Sequence, residues 1–239
     1  MEAGGLKSNP ARGLKVVGGP SRERLFLDAN EVMLLATEAE SIVTGAGTDV
    51  FLLAYGGLRW GEAVALRRGR CHLLRSRIFI REAVTEVGGE LHFGSTKTHQ
   101  DRVLVLPGFL CELLPRQLAS REDKGPEALV FVDSLGGPLR NSNWRHRVWK
   151  PACEAAGVPA GLRIHALRHT AASLLVSSGA NVKAVQRHLG HATASMTLDR
   201  YAHLFTDDLE ALAERLDRVF ATASPARPDG PPAILKLGA

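Results

Sequence analysis

Apolar positions fall into three regimes along the chain. From residue 28 to 66 they recur at helical spacing. Asp28 to Glu31 has the spacing of a capping box with Asp as the cap, and Val32, Leu34, Leu35 and Ala36 continue the helix. Thr48 or Asp49 is placed to cap a second helix, apolar through Val50, Leu52, Leu53 and Ala54, which runs into Gly56-Gly57. A short helix from Trp60 to Leu66 follows. Between 71 and 106 the pattern changes. The runs at 77–81, 90–93 and 102–106 alternate or are β-branched; Gly88-Gly89 separates the first two and residues 97–101 the last two. This predicts a three-stranded antiparallel sheet with Lys97 near a turn, ended by Pro107. From 108 onward helical spacing returns, over 108–120, 142–156, 165–178, 182–189, 194–204 and 207–221. Gly157, Gly179 and Gly190 stand where C′ glycines belong, and Asn181 caps the helix before Gly190. The last helix gathers Leu209, Leu212, Leu216, Val219 and Phe220 on one stripe, opposite Asp208, Glu214 and Arg215. The class expected is α+β, mainly α-helical with one small three-stranded antiparallel sheet.

The ends carry no such period. Residues 1–24, rich in Gly, Pro, Lys and Arg, read as a linker or extended arm. Residues 223–239, with four prolines and two glycines, read as a mobile tail, which leaves 25–222 as the folded domain. At 239 residues and 45% hydrophobic content the chain can bury a sizeable core. Its net charge of +5 suits a polyanionic partner without requiring one. Cys71, Cys111 and Cys153 are odd in number and include no C-x-x-C, which argues against a disulfide framework and structural zinc and fits a reduced cytosolic setting. No secretory leader and no long apolar run stand out, so a soluble, non-membrane protein is expected.

The candidate chemistry lies in five separated segments: Gly57 to Glu62, Ser95 to Thr98, His165 to Arg168, Leu189-Gly190-His191, and Tyr201. Attack on a phosphodiester spreads negative charge over the non-bridging oxygens, which forked guanidinium donors match better than a point charge does. Arg59 and Arg168 are the clamp on this reading, although either alone is an ordinary surface arginine. His165 and Arg168, three apart on a helix, share a face, and His191 is held by a glycine turn. Histidine can donate to the oxyanion or trade protons near neutral pH. His165 and His169, four apart, also suggest a metal pair, but Ala166 stands where the zincin pattern needs Glu. No Asp or Glu occurs between Glu154 and Asp199, so neither metal nor cofactor is expected. Lys97, on the predicted turn, can reach a minor-groove base edge and a leaving 5′-oxygen as general acid. Tyr201 is one of two tyrosines; the other, Tyr55, lies in an apolar helix. A phenol has an ordinary pKa of about 10 and needs nearby cations or a base to act as a nucleophile. Arg145, Arg147 and Lys150, interleaved with Trp144 and Trp149, offer a DNA-facing helix, or else a solvated face over two core tryptophans.

Taken in order, the five segments resemble the Arg box, β-hairpin Lys, H-x-x-R box, L-G-H box and nucleophile of the tyrosine recombinases, or phage-type integrases. The resemblance covers residues 25–221 and implies the DNA breaking-rejoining catalytic-domain fold. It makes Arg59, Lys97, His165, Arg168 and His191 the phosphate-activating set, Tyr201 the nucleophile, and Glu62 a supporting acid through a salt bridge or helix contact. It implies metal-free cleavage and rejoining through a 3′-phosphotyrosine, in site-specific integration or excision of a phage or mobile element. The partners implied are double-stranded DNA attachment sites, a homotetramer on paired DNA formed from free monomers, and accessory DNA-bending proteins. The place of action implied is the nucleoid in the cytoplasm. The helix at 207–221 is expected to dock in trans on a neighbour or to pack in cis. Only about 24 residues precede the first catalytic helix, and residues 9–24 resemble an interdomain linker, so the expectation is an isolated catalytic domain, a truncated gene product or a remnant. A non-cleaving DNA-binding regulator, a type IB topoisomerase-like relaxing enzyme and a metal-dependent nuclease are the alternatives.

Overall fold

The computed structural model describes residues 26–95, 101–120, 123–205, 213–214, 216–218 and 220. The proposed arm at 1–24, the tail at 223–239 and Lys97 lie outside them, as do Leu209, Leu212 and Val219 of the last predicted helix.

Helix α1 (Ala29–Ile42) starts at the expected box: Glu31 N–H donates to Asp28, and Asp28 N–H donates to Glu31, both at 2.8 Å. Its buried positions, Val32, Leu35, Ala36 and Ala39, follow the helical period and face α2 (Ala46–Gly56). The cap of α2 differs from expectation. The N-cap is Gly45, with φ at +92°, and the Glu40 carboxylate of α1 accepts from the N–H groups of Gly45 and Gly47. A side chain borrowed from the preceding helix thus does what Thr48 or Asp49 was expected to do. Asp49 instead lies buried in the first turn, where it accepts from Gln117 at 2.8 Å. Tyr55 is half-buried and meets Phe51 and Phe109 edge-on or tilted. Helix α3 (Trp60–Val64) follows after Gly57.

The strand region has three extended runs where they were expected, but they pair differently. Strands β1 (Cys71–His72), β2 (Arg77–Ile80) and β5 (Arg102–Val105) form one antiparallel sheet in the order β1-β2-β5, with Ile78 opposite Leu104. Strands β3 (Glu82–Val87) and β4 (Glu90–Ser95) form a separate hairpin. Gly88 and Gly89 both have positive φ, +58° and +85°, so they close a two-residue turn that sets Val87 opposite Glu90. The run at 90–93 therefore had to pair with 82–87, which the sequence reading left unassigned. Burial selects the other pairing: Ile78, Ile80 and Leu104 are buried, whereas the hairpin has no buried position.

Helix α4 (Gly108–Ala119) is followed by α5 (Asn141–Trp144), a π-helical turn over Arg145–Trp149, and α6 (Lys150–Ala155). Helices α7 (Ala166–Ser177), α8 (Val182–Leu189) and α9 (Ala194–Tyr201) come within a residue or a few of expectation, and α9 runs into a 3₁₀ turn at Ala202–Leu204. Asn181 caps α8 by accepting from Ala184 N–H at 2.9 Å. Gly157, Gly179 and Gly190 all take positive φ. Among the described residues of the final predicted helix, Leu216 and Phe220 are exposed.

Buried apolar residues form two clusters. The larger joins α1–α6 and the three-stranded sheet and takes in Ala166 and Leu167 of α7. The smaller joins Ala171 and Ala172 of α7 to Val185, Leu189 and Tyr201. One helix, α7, belongs to both. Thr170, on the same helix, accepts from Leu27 N–H at 2.9 Å and ties it to the start of α1. The H-x-x-R segment therefore opens the helix that bridges the two clusters.

Candidate active site

Arg59 is the N-cap of α3, in extended conformation, and Glu62 is the third residue of that helix. The Glu62 carboxylate accepts Arg59 N–H at 2.8 Å and the Arg59 guanidinium at 2.7 Å. It also accepts both Arg102 terminal nitrogens, at 2.8 and 2.7 Å. Each oxygen receives two donors, which fills the acceptor capacity of a buried carboxylate. Burial alone would raise this acid; the Arg102 hydrogen bonds and charge, with help from Arg59, override it and bring Glu62 down to about 2. The Arg59 side chain remains 31% exposed while Glu62 is 2% exposed, so the carboxylate holds one end of Arg59 and leaves part of it facing solvent.

Arg168 is buried in the first turn of α7 and donates to the carbonyl oxygens of Gly57 and Leu189. The chain comes this close because Gly57 has no side chain: a Cβ there would lie 2.6 Å from Leu189 Cδ2. Burial first, then the charge of Arg59, pushes Arg168 down to about 9, which leaves it cationic at neutral pH. His191 follows Gly190, whose φ is +66°. Its Nδ1 pairs with Thr197 Oγ1 at 2.9 Å, and its buried Nε2 has no hydrogen-bond partner among the described residues. Burial, then the charges of Arg168, Arg200, Arg59 and Arg102, lowers His191 to about 4, so the ring is neutral near pH 7. His165 is the residue before α7 and is lowered by burial and then by Arg168, Arg200 and Arg59.

Tyr201 closes α9 and is 2% exposed. Its ring stacks on His191, with centroids 6.2 Å apart and planes 7° from parallel. Its hydroxyl is 2.8 Å from His169 Nδ1. The His169 ring in turn meets His165 edge-on at 5.2 Å. Four of the five segments thus converge: the guanidinium fields of Arg59 and Arg168 act on both His165 and His191, and the Tyr201 hydroxyl acts on Arg168. Lys97, from the fifth segment, falls outside the described residues. The cluster can hold a tetrahedral anion between forked donors and neutral imidazoles, with a phenol beside it. Among the described residues no group of three or more His, Cys, Asp or Glu is placed to hold a metal ion. Among them also, no helix is long and apolar enough to cross a membrane.

The basic helix is less uniform than its sequence. A π turn spans Arg145–Trp149, and its two ends differ: Trp149 is buried and Arg145 exposed. Trp144 stacks on Trp149 at 5.8 Å, and the Trp149 indole donates to the Leu162 carbonyl at 3.0 Å. Both tryptophans belong to the core. Arg145 and Lys150 nevertheless line a groove of about 760 Å³, which continues past Arg163 to His165. Arg147 is exposed and does not line it.

Two site residues escaped the sequence reading. Arg102 looks like one more strand residue, and its partner lies 40 positions away. His169 was weighed only as half of a metal pair; its contact with Tyr201 spans 32 positions. The H-x-x-R-H spacing carried the signal, since the two histidines share a helical face.

The phage integrase family model matches residues 26–207. An integrase of Mycobacterium phage D29 is 31% identical over 203 residues, covering 79% of this chain and 52% of the relative. The tyrosine recombinase XerC of Nitrobacter winogradskyi is 30% identical over 207 residues, covering 86% and 57%. This chain thus spans about half the length of the curated relatives it matches. Among solved structures, the Tn1549 transposon integrase in complex with transposon right end DNA superposes with a TM-score of 0.71 at 20% identity, over 82% of this chain and 67% of that one. The catalytic domain of bacteriophage HP1 integrase gives a TM-score of 0.57 at 24% identity, over 80% and 95%. The fold is that of the tyrosine recombinase catalytic domain, and the chain belongs to the phage integrase family.

Proposed function

We propose that residues 25–222 are the catalytic domain of a site-specific DNA recombinase that cuts and rejoins DNA through a 3′-phosphotyrosine linkage. The observation that carries this reading is the convergence of Arg59, Arg168, His165 and His191 on Tyr201. Arg59 and Arg168 clamp the non-bridging oxygens of the scissile phosphate. His165 and His191 share the oxyanion as donors. Lys97 protonates the leaving 5′-oxygen, and Glu62 holds Arg59 in place. No redox or acyl chemistry is needed, and the phosphotyrosine keeps the energy of the broken bond, so rejoining needs no nucleotide cofactor.

The substrate on this reading is an attachment site in double-stranded DNA. The groove past Arg145 and Lys150 to His165 runs beside the site and supplies cations for phosphate contacts. Arg147, outside that groove, contributes to the general basic field. The assembly is a tetramer on two duplexes formed from free monomers, aided by DNA-bending proteins and acting on the nucleoid in the cytoplasm. The exposed Leu216 and Phe220 give it an apolar stripe to bury against a neighbour. Residues 1–24 serve as a linker arm and 223–239 as a tail.

The test is covalent trapping in EDTA on a nicked duplex taken from DNA bordering the gene, comparing the wild type with Tyr201→Phe. A denaturant-resistant adduct in the wild type alone supports the reading. Binding without an adduct replaces it with a non-cleaving DNA-binding module. Cleavage that EDTA abolishes replaces it with a metal-dependent nuclease.

A further inference from the structure

We propose that His169 is the general base that removes the Tyr201 proton, and hence a further catalytic residue, an assignment that rests on the function proposed above. A base must stand within about 2.6–3.2 Å of the proton it takes. His169 Nδ1 lies 2.8 Å from the Tyr201 hydroxyl oxygen. Tyr201 is 2% exposed, so bulk water has little access to the phenol. The other two histidines of the site make no hydrogen bond to the phenol: His191 lies with its ring face parallel to the Tyr201 ring and its Nδ1 on Thr197, and His165 meets His169 edge-on.

The cations around the pair favour the phenolate. His165 is the cap of α7 and Arg168 lies in its first turn, His191 comes from the turn before α9, and Arg200 from α9 itself. Arg59 adds its field from the start of α3. Arg168 feels the Tyr201 oxygen directly, so a phenolate formed there has a guanidinium to stabilise it. To accept at Nδ1, His169 must be neutral with its proton on Nε2.

In the step, the Tyr201 O–H bond breaks and its proton passes to His169 Nδ1, giving an imidazolium. The phenolate oxygen forms a bond to phosphorus while the bond from phosphorus to the 5′-oxygen breaks. That oxygen leaves with a proton supplied by Lys97. In rejoining, a 5′-hydroxyl attacks phosphorus and gives its proton to the neutral amine that the acid became, the bond from phosphorus to the Tyr201 oxygen breaks, and the imidazolium returns its proton to the departing phenolate.

The experiment measures adduct formation on the nicked duplex against pH for the wild type, His169→Ala and His169→Gln. The expected result is a roughly 10²–10³-fold loss at pH 7 in both variants. The loss should shrink as pH rises toward the ordinary tyrosine value of about 10, and added imidazole should partly rescue His169→Ala. A loss of equal size at every pH, without rescue, assigns His169 a packing role and overturns the proposal. So does unaltered cleavage at pH 7. An independent measurement on the DNA-free protein uses ¹⁵N spectra of the His169 ring. A neutral Nε2–H tautomer at pH 7 is required, and a proton on Nδ1 overturns the assignment whether or not the chain cleaves. If the wild type itself forms no adduct, the function proposed above falls, and with it this base.

Discussion

Glu62 and Arg102 meet fork to fork, the two carboxylate oxygens accepting the two terminal nitrogens of the guanidinium at 2.8 and 2.7 Å. The pair joins α3 to β5, an edge strand of the three-stranded sheet. Arg102 also packs against the turn that presents His191, where a Cβ on Gly190 would lie 2.7 Å from Arg102 Cδ. One arginine therefore supports two of the proposed phosphate ligands. Arg102→Ala should cost about 3–5 kcal/mol in urea unfolding, because the buried Glu62 carboxylate loses its main partner. Arg102→Lys should recover part of that stability and little of the cleavage rate, since an ammonium cannot span both oxygens.

Acid should weaken the fold in two stages. His191 is held down to about 4 from an ordinary 6.5, so the unfolded chain binds its proton first. Its contribution is complete above about 6.5 and is lost as pH falls toward 4. His165 and His188, both lowered by burial, act in the same direction. Glu62, held down to about 2 from 4.5, adds stability that is complete above 4.5 and is lost as pH falls toward 2. Urea midpoints measured against pH should therefore fall continuously below about 6.5, and His191→Gln should flatten the upper part of that slope.

Gly57→Ala should destabilise by about 1–3 kcal/mol, from the positive φ of +61° and from the displacement of Leu189. Calorimetry measures the loss. Adduct formation should fall further than stability does, because the Gly57 carbonyl is one of the two that orient Arg168.

Arg168→Lys should lower the cleavage rate by roughly 10²–10³ while DNA binding changes little. Single-turnover cleavage beside a binding titration separates the two effects. An equal fall in both would make Arg168 a binding residue.

The sequence announced most of the helices because their signals are local. Asp28 and Glu31, or Asn181 and Ala184, interact within one turn, and Gly190 marks its own turn. Four of the five chemical segments sit at helix ends, and Gly57 and Gly190 mark two of those ends in the residue string. What stayed hidden depends on distant partners. The cap of α2 is supplied by Glu40 in the preceding helix. The pairing of β2 with β5 is chosen by the burial of Ile78 and Leu104 and skips the intervening hairpin. The π turn at Arg145–Trp149 shifts the basic residues off the period a sequence reader assumes. Lys97 lies outside the described residues, so its expected hairpin position rests on the sequence alone.

The two carbonyls that hold Arg168 belong to the C-terminal ends of helices, Gly57 being the C-cap of α2 and Leu189 the last residue of α8. Each end carries roughly half a negative charge from its aligned peptide dipoles. A buried cation is thus compensated by fractions of charge that belong to the backbone. Those fractions have no proton to gain, so acid that neutralises Glu62 leaves them unchanged. Arg59 and Arg102 bond one carboxylate, whose charge also reaches Arg168, while the hydrogen bonds of Arg168 go to the main chain itself and last at any pH at which α2 and α8 remain folded.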